Sequence, residues 1–206
     1  QDVPGNAVPV TVKANSKPTA PSFTVTMTGS SVTVNWDATP PGGYLAPDEI
    51  VFWQRTNGVE SEASMGKVLQ GSKTVSVSPG QVIEVGVGAR NSLGTVWGVL
   101  SGTNKDTVKV NVPGAFTGTT AQCTAENARG ADIDQCVTVT LTLPSTWASD
   151  ALPMRCSMWD DFSQSYATFT PRGGAGSQVQ TGVRLSKANA GNLAILISRI
   201  TCSLGG

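Results

Sequence analysis

Apolar and polar positions alternate with period two along much of this chain. Val8, Val10 and Val12; Val25 and Met27; Val32, Val34 and Trp36; Val75 and Val77; Ile83, Val85 and Val87; Val108, Val110 and Val112; and Val137, Val139, Leu141 and Leu143 each set apolar side chains on one side of an extended segment. Successive side chains of a strand point to opposite faces, so this spacing predicts half-buried strands in antiparallel sheets. Gly, Pro, Asn and Ser punctuate the runs, and no stretch holds a helical period with caps. Regular short strands separated by turn residues predict an all-β chain built of sandwiches or barrels.

The 206 residues fit about two domains of roughly 100 residues each. Pro113-Gly114 closes the strand that ends at Val112, and every cysteine lies beyond it. The expected organisation is therefore two immunoglobulin-like β-sandwiches in tandem, at residues 17–112 and 113–206, preceded by an extended N-terminal arm at residues 1–16.

The segment 18–102 resembles a fibronectin type III domain. Pro18-Thr19-Ala20-Pro21 leads into a strand at Ser22–Met27, and Ser31–Trp36 follows with Trp36 at the position of that family's core tryptophan. Pro40-Pro41-Gly42-Gly43 makes the expected turn. Val77-Ser78-Pro79-Gly80 runs into Ile83-Glu84-Val85-Gly86-Val87-Gly88-Ala89-Arg90, and Asn91-Ser92-Leu93-Gly94 matches the loop after the family's sixth strand. Ile83 stands where the family usually has tyrosine, so the tyrosine-corner hydrogen bond is lost and only the apolar anchor is kept. The resemblance implies a fold and little about function, because such sandwiches host many roles, extracellular adhesive and spacer roles among them. Nothing comparable is recognised in residues 113–206.

Composition narrows the chemistry. The net charge is +0 and 14% of residues are charged, below the roughly 25% of an average soluble domain. With no basic stripe, nucleic acid and anionic membrane are poor partners. The chain has no histidine. That removes Ser–His and Cys–His catalysis and histidine metal ligation, and it argues against an enzyme and against any cofactor. The longest apolar run, Leu193–Ile197, is far shorter than the roughly 20 residues a membrane-spanning helix needs. Cys123, Cys136, Cys156 and Cys202 show no CxxC spacing; an even count in such a chain reads as two disulfides formed in an oxidising compartment. Cys123–Cys136 and Cys156–Cys202 is the preferred pairing of the three that are possible, because the first closes a short polar loop. Gln1 suits a terminus left by signal cleavage, and no Asn-x-Ser/Thr sequon occurs. These features point to a secreted or cell-surface protein and lean toward a bacterial source.

Three groups of residues are candidates for function. If Ile83, Val85, Val87 and Ala89 point inward, Gly86 and Gly88 point outward, and Trp53, with Val51, lies outward on the neighbouring strand. Trp53 over a glycine trench, with Trp97 nearby, would make a flat apolar patch for a partner domain, another subunit or a sugar ring; the same ring could simply shield bare backbone. Trp147, Trp159 and Tyr166 could stack on sugars, although aromatic residues are more often core. The acidic pairs Asp160-Asp161, Asp132/Asp134 and Asp48-Glu49 lack calcium-loop spacing and read as surface turns. The arm offers Val8, Val10 and Val12 as a strand to its own molecule or to a neighbour. It is similar in style to the N-terminal donor strands of chaperone-assembled pilins, without a matching pilin motif in residues 113–206. The reading that joins these features is a bacterial surface filament subunit or adhesin that self-associates or binds another surface protein, with a carbohydrate-binding module as the alternative.

Overall fold

A computed structural model of the chain describes residues 16–122, 135–143, 145–172, 174 and 176–205. The valine arm and Cys123 lie outside the described residues. In chain order the elements are β1 (Ser22–Thr28), β2 (Ser31–Asp37), β3 (Glu49–Thr56), β4 (Val59–Ser64), β5 (Gln70–Ser76), β6 (Val82–Asn91), β7 (Gly94–Trp97), β8 (Val99–Leu100) and β9 (Thr107–Asn111). They continue as β10 (Thr117–Gln122), β11 (Gln135–Thr142), β12 (Met154–Asp160), β13 (Ser165–Phe169), β14 (Gln178–Leu185), α1 (Lys187–Ala190), α2 (Leu193–Ser198) and β15 (Thr201–Leu204). The protein is an all-β sandwich, as the alternation predicts.

The first nine strands form two sheets, ordered β5-β2-β1-β8 and β4-β3-β6-β7, with β9 also on β6. The alternating residues meet in register. Phe23 faces Trp36, Val25 faces Val34 and Met27 faces Val32 in one sheet; Ile50 faces Ala89 and Phe52 faces Val87 in the other. Their inner side chains form one core in which Val32, Val34, Ile50, Ile83, Val85, Val87 and Ala89 are wholly buried. Trp36 closes it, its indole N–H donating to the Val68 carbonyl at 2.9 Å. Gly71 lies opposite, where a Cβ would stand 2.7 Å from the ring.

One feature has no counterpart in the periodicity. β7 pairs with the C-terminal half of β6 and β9 with its N-terminal half, so Val87 alone of β6 faces the gap, and residues 98–106 leave the sheet there. The Gly98 N–H donates to the Val87 carbonyl at 2.7 Å, and the chain then crosses to the other sheet, where β8 runs parallel to β1. Val99 and Ser101 donate to the carbonyls of Pro21 and Phe23. A Cβ on Gly98 would lie 2.5 Å from the Pro21 oxygen and 2.8 Å from that of Val87, so only glycine passes between the two backbones.

The later strands form two three-stranded sheets, β10-β11-β14 and β13-β12-β15. Cys156 and Cys202 are directly paired residues of β12 and β15 and are joined by a disulfide. It closes 46 residues, worth about 4 kcal/mol in the chain-entropy model. The other expected bond, Cys123–Cys136, lies outside the described residues. Two short helices precede β15 where the sequence shows no helical period. Ser186 caps α1 by accepting from the Asn189 N–H at 3.3 Å, and the apolar run Leu193–Ile197 is helix α2. Each is too short for a 3.6-residue period to register.

The core does not stop at Val112. Val108, Val110 and Val112 share their cluster with Leu141, Leu143, Trp147, Met154 and Cys156. Backbone and side chains also cross: the Leu152 N–H donates to the Lys109 carbonyl at 2.8 Å, Lys109 meets Asp150 at 2.8 Å, and Asn111, 4% exposed, bonds both backbone groups of Ala148.

Two outcomes follow for stability. Trp36→Ala removes a core ring and its hydrogen bond and is expected to cost about 3–5 kcal/mol in chemical denaturation; a loss under about 1 kcal/mol would contradict the packing. Asn111→Leu keeps the volume but strands the Ala148 N–H and carbonyl, and is expected to cost about 1–3 kcal/mol by the same measurement. An unchanged midpoint would show that this pair does not hold the two halves.

Candidate functional site

The outer face of the β4-β3-β6-β7 sheet carries the most concentrated chemistry. Register sets Val51 opposite Gly88, Trp53 opposite Gly86 and Arg55 opposite Glu84 between β3 and β6, and Trp97 opposite Gly88 between β6 and β7. The two tryptophans therefore flank a bare stretch of backbone. A Cβ on Gly88 would lie 2.8 Å from Thr95 Cγ2 and 3.0 Å from the Trp97 ring; one on Gly86 would lie 3.0 Å from the Asp106 carbonyl. Side chains larger than hydrogen would lift the rings or push back the Asp106–Thr107 wall. Trp53 and Trp97 are half-buried. Val51 shares their face, yet it is only 1% exposed and offers no contact surface.

Charge rims this apolar strip. The Arg55 guanidinium sits 5.2 Å from the Trp53 ring centroid, in cation–π range, and binds Glu60 at 2.5 Å and Glu84 at 3.0 Å. Thr107 Oγ1 donates to the second Glu84 oxygen at 3.0 Å. Arg90 binds Glu62 at 2.7 Å and Glu49 at 3.4 Å and donates to Thr95 Oγ1 at 2.8 Å. Trp53, Arg55, Glu84, Trp97, Asp106 and Thr107 together line a shallow cleft of about 250 Å³. Asp106 and Thr107 reach it only because residues 98–106 leave and rejoin the sheet; no local sequence signal announces that excursion.

The cleft offers an apolar floor and paired charges. Its one hydroxyl, that of Thr107, is engaged with Glu84, and the chain has no histidine. Among the described residues no group of three or more His, Cys, Asp or Glu side chains is arranged to hold a metal ion. Also among them, no helix is long and apolar enough to cross a membrane.

The three aromatic residues considered for sugar stacking do not form one platform. Trp147 is 8% exposed and belongs to the shared core, apart from the other two. Trp159 and Tyr166 are cross-strand partners, but their rings meet edge to face at 5.3 Å and 79°, and of the two only Tyr166, at 63%, is fully exposed. The pair therefore offers one exposed ring, that of Tyr166, instead of a continuous two-ring platform. Val8, Val10 and Val12 lie outside the described residues.

Asp160 and Asp161, read from sequence as a surface turn, are instead an internal anchor. Asp160 is 3% exposed and accepts from the backbone N–H groups of Ser163 at 2.7 Å and Arg184 at 2.9 Å, and from Ser163 Oγ at 3.0 Å. Asp161 accepts from the Ser186 N–H, Asn189 Nδ2 and the Trp159 indole. Burial pushes both carboxyls up, but the donors outweigh it, so both sit below the ordinary aspartate value. The pair ties the end of β12 to β14 and to the cap of α1.

No protein-family model matches the chain, and no curated protein matches it in sequence. Among solved structures it is similar to the FN1–FN3 domains of chicken CNTN1, at 11% identity and a TM-score of 0.30, over 79% of this chain and 56% of that one. It is similar also to a structure described as an insight into host cell surface retention of a 1.5-MDa bacterial ice-binding adhesin, at 13% identity and a TM-score of 0.30, over 82% and 55%. The chain spans about half the length of each of these structures.

The acidic anchor has a defined pH signature. A carboxyl whose folded pKa is depressed contributes stability that is present above its unfolded value, about 4, and lost as pH falls through the folded value. Asp160→Asn is therefore expected to cost about 1–3 kcal/mol at pH 7. It should also flatten the fall in urea midpoint between pH 7 and pH 3. A variant with the parent's midpoint at pH 7 and the parent's acid slope would remove Asp160 from this role.

Proposed function

We propose that this protein is an extracellular structural and interaction module that works by contact and performs no catalysis: a surface filament subunit or adhesin whose outer β4-β3-β6-β7 face packs on another protein, a second copy of the chain included. The observation that carries this reading is the Trp53–Trp97 strip on glycine backbone, rimmed by the Arg55 and Arg90 ion-pair networks. Aromatic anchors surrounded by charge are the usual composition of a protein-binding hot spot. The Cys156–Cys202 bond supports an oxidising, extracellular setting.

The test is sedimentation velocity with electron microscopy over a wide concentration range, comparing the parent with Trp53→Ala/Trp97→Ala. The parent is expected to associate as concentration rises, and the double variant to stay folded and associate at least tenfold more weakly. A parent that stays monomeric at high concentration would overturn the filament reading. A double variant that associates like the parent would move the contact off this face.

A further inference from the structure

The tryptophan cleft on the outer sheet face is unevenly satisfied. Trp53 already holds a cation, the Arg55 guanidinium. Arg55 is in turn shared by Glu60 and Glu84, and the second Glu84 oxygen accepts from Thr107. Two lining groups are left over. Among the described residues no cation stands over the Trp97 ring, and no ion pair or side-chain hydrogen bond engages the exposed Asp106 carboxylate. Trp97 ends β7 and Asp106 immediately precedes β9, so these two groups are the lips of the gap where residues 98–106 leave the sheet. The floor between the rings is glycine: Trp53 stands opposite Gly86 and Trp97 opposite Gly88, outward positions about 7 Å apart along β6.

The charge around this cleft is not that of the chain. Every cation on the face is already paired: Arg55 with Glu60 and Glu84, Arg90 with Glu62 and Glu49, Lys109 with Asp150. Asp106 is a sixth carboxylate against those three cations. The whole chain has 14 groups of each sign and a net charge of +0, so an excess of three negative charges is local to this face. Counting Lys105, which precedes Asp106 in the chain but does not line the cleft, still leaves an excess of two. Such a local excess attracts a cation and repels an anion. An apolar group would fit the rings but would bury Asp106 without a partner, which is costly. At about 250 Å³ the cleft is smaller than the roughly 300–1,000 Å³ that a drug-sized ligand occupies, and suits a single side chain.

We infer that this cleft receives an arginine side chain of the partner protein, its guanidinium stacked on Trp97 and paired with Asp106. This rests on the contact reading proposed above and names the group on which that contact turns. Arginine fits because its planar guanidinium stacks on an indole face while its N–H groups reach a carboxylate, a combination that the compact lysine ammonium does not offer. The Arg55–Trp53 pair is the same arrangement made within the chain.

The test is a titration of the full-length protein with a blocked Gly-Arg-Gly peptide, read from the indole N–H signals in nuclear magnetic resonance. The Trp53 and Trp97 signals are assigned with Trp53→Phe and Trp97→Phe. The arginine peptide is expected to shift both signals saturably, Trp97 the more. The same peptide carrying citrulline, an uncharged isostere of arginine, should leave them in place. Asp106→Asn, an exposed and nearly isosteric change whose fold the same spectra verify, should weaken binding roughly two- to fivefold. Indole signals that do not move, a citrulline peptide that binds as well as the arginine one, or an Asp106→Asn variant that binds like the parent would each overturn the inference. The titration needs no self-association, so a parent that stays monomeric removes the filament reading without deciding this one. Conversely, association that depends on Trp53 and Trp97 while the arginine peptide fails to bind would keep the contact face and remove its arginine.

Discussion

Strand β6 has to satisfy opposite demands on its two faces, and the rest of the molecule is arranged around that requirement. Its inner residues Ile83, Val85, Val87 and Ala89 are 0% exposed and fill the first sandwich. Its outer residues Gly86 and Gly88 must carry nothing, because Thr95, the Trp97 ring and the Asp106 carbonyl occupy the space a Cβ would take. Glycine within a strand weakens it by roughly 0.5–1 kcal/mol relative to alanine. That cost is tolerable in a strand flanked by β3 on one side and, on either side of Val87, by β9 and β7 on the other.

Much of this was legible in the sequence because strand parity is a local property. Once Ile83 and Val85 are placed inward, the outward position of Gly86 and of Trp53 follows from period two alone. The core role of Trp36 follows in the same way. Features set by distant chain were not legible. Gly98 looks like any loop glycine until Pro21 and Val87 are brought against it. Trp147 looks like a surface aromatic until Asn111 captures Ala148 beside it and draws the segment onto Val108, Val110 and Val112. The Asp160-Asp161 pair reads as a turn because its donors, Arg184, Ser186 and Asn189, are more than twenty residues away.

The same long-range contacts join the two halves. A composition shift at Pro113-Gly114 marks a change of sheet, yet the apolar cluster runs through it from Val112 to Leu141 and Leu143. The Asn111 amide supplies what an apolar residue at this junction could not: a donor and an acceptor for a backbone segment that has no strand partner, at 2.8 and 2.9 Å. Buried backbone groups without partners are costly, so the direction in which residues 145–152 leave the first half is set by hydrogen bonding as much as by burial.

How α2 keeps its shape without burying a residue follows from what brackets it. A six-residue helix is far below the length that is stable by itself in water, and α2 has no side-chain cap. Upstream, Ser186 caps α1 while its own N–H is held by Asp161, and Asp161 also grips Asn189. Downstream, Cys202 is bonded to Cys156, a wholly buried residue in the middle of a sheet. The helix is thus pinned at one end by carboxylate hydrogen bonds and at the other by a covalent bond. Between these pins Leu193, Leu196 and Ile197 pack, partly buried, against Met158, Val183 and Leu185. Ile195, 51% exposed, is left out of that contact.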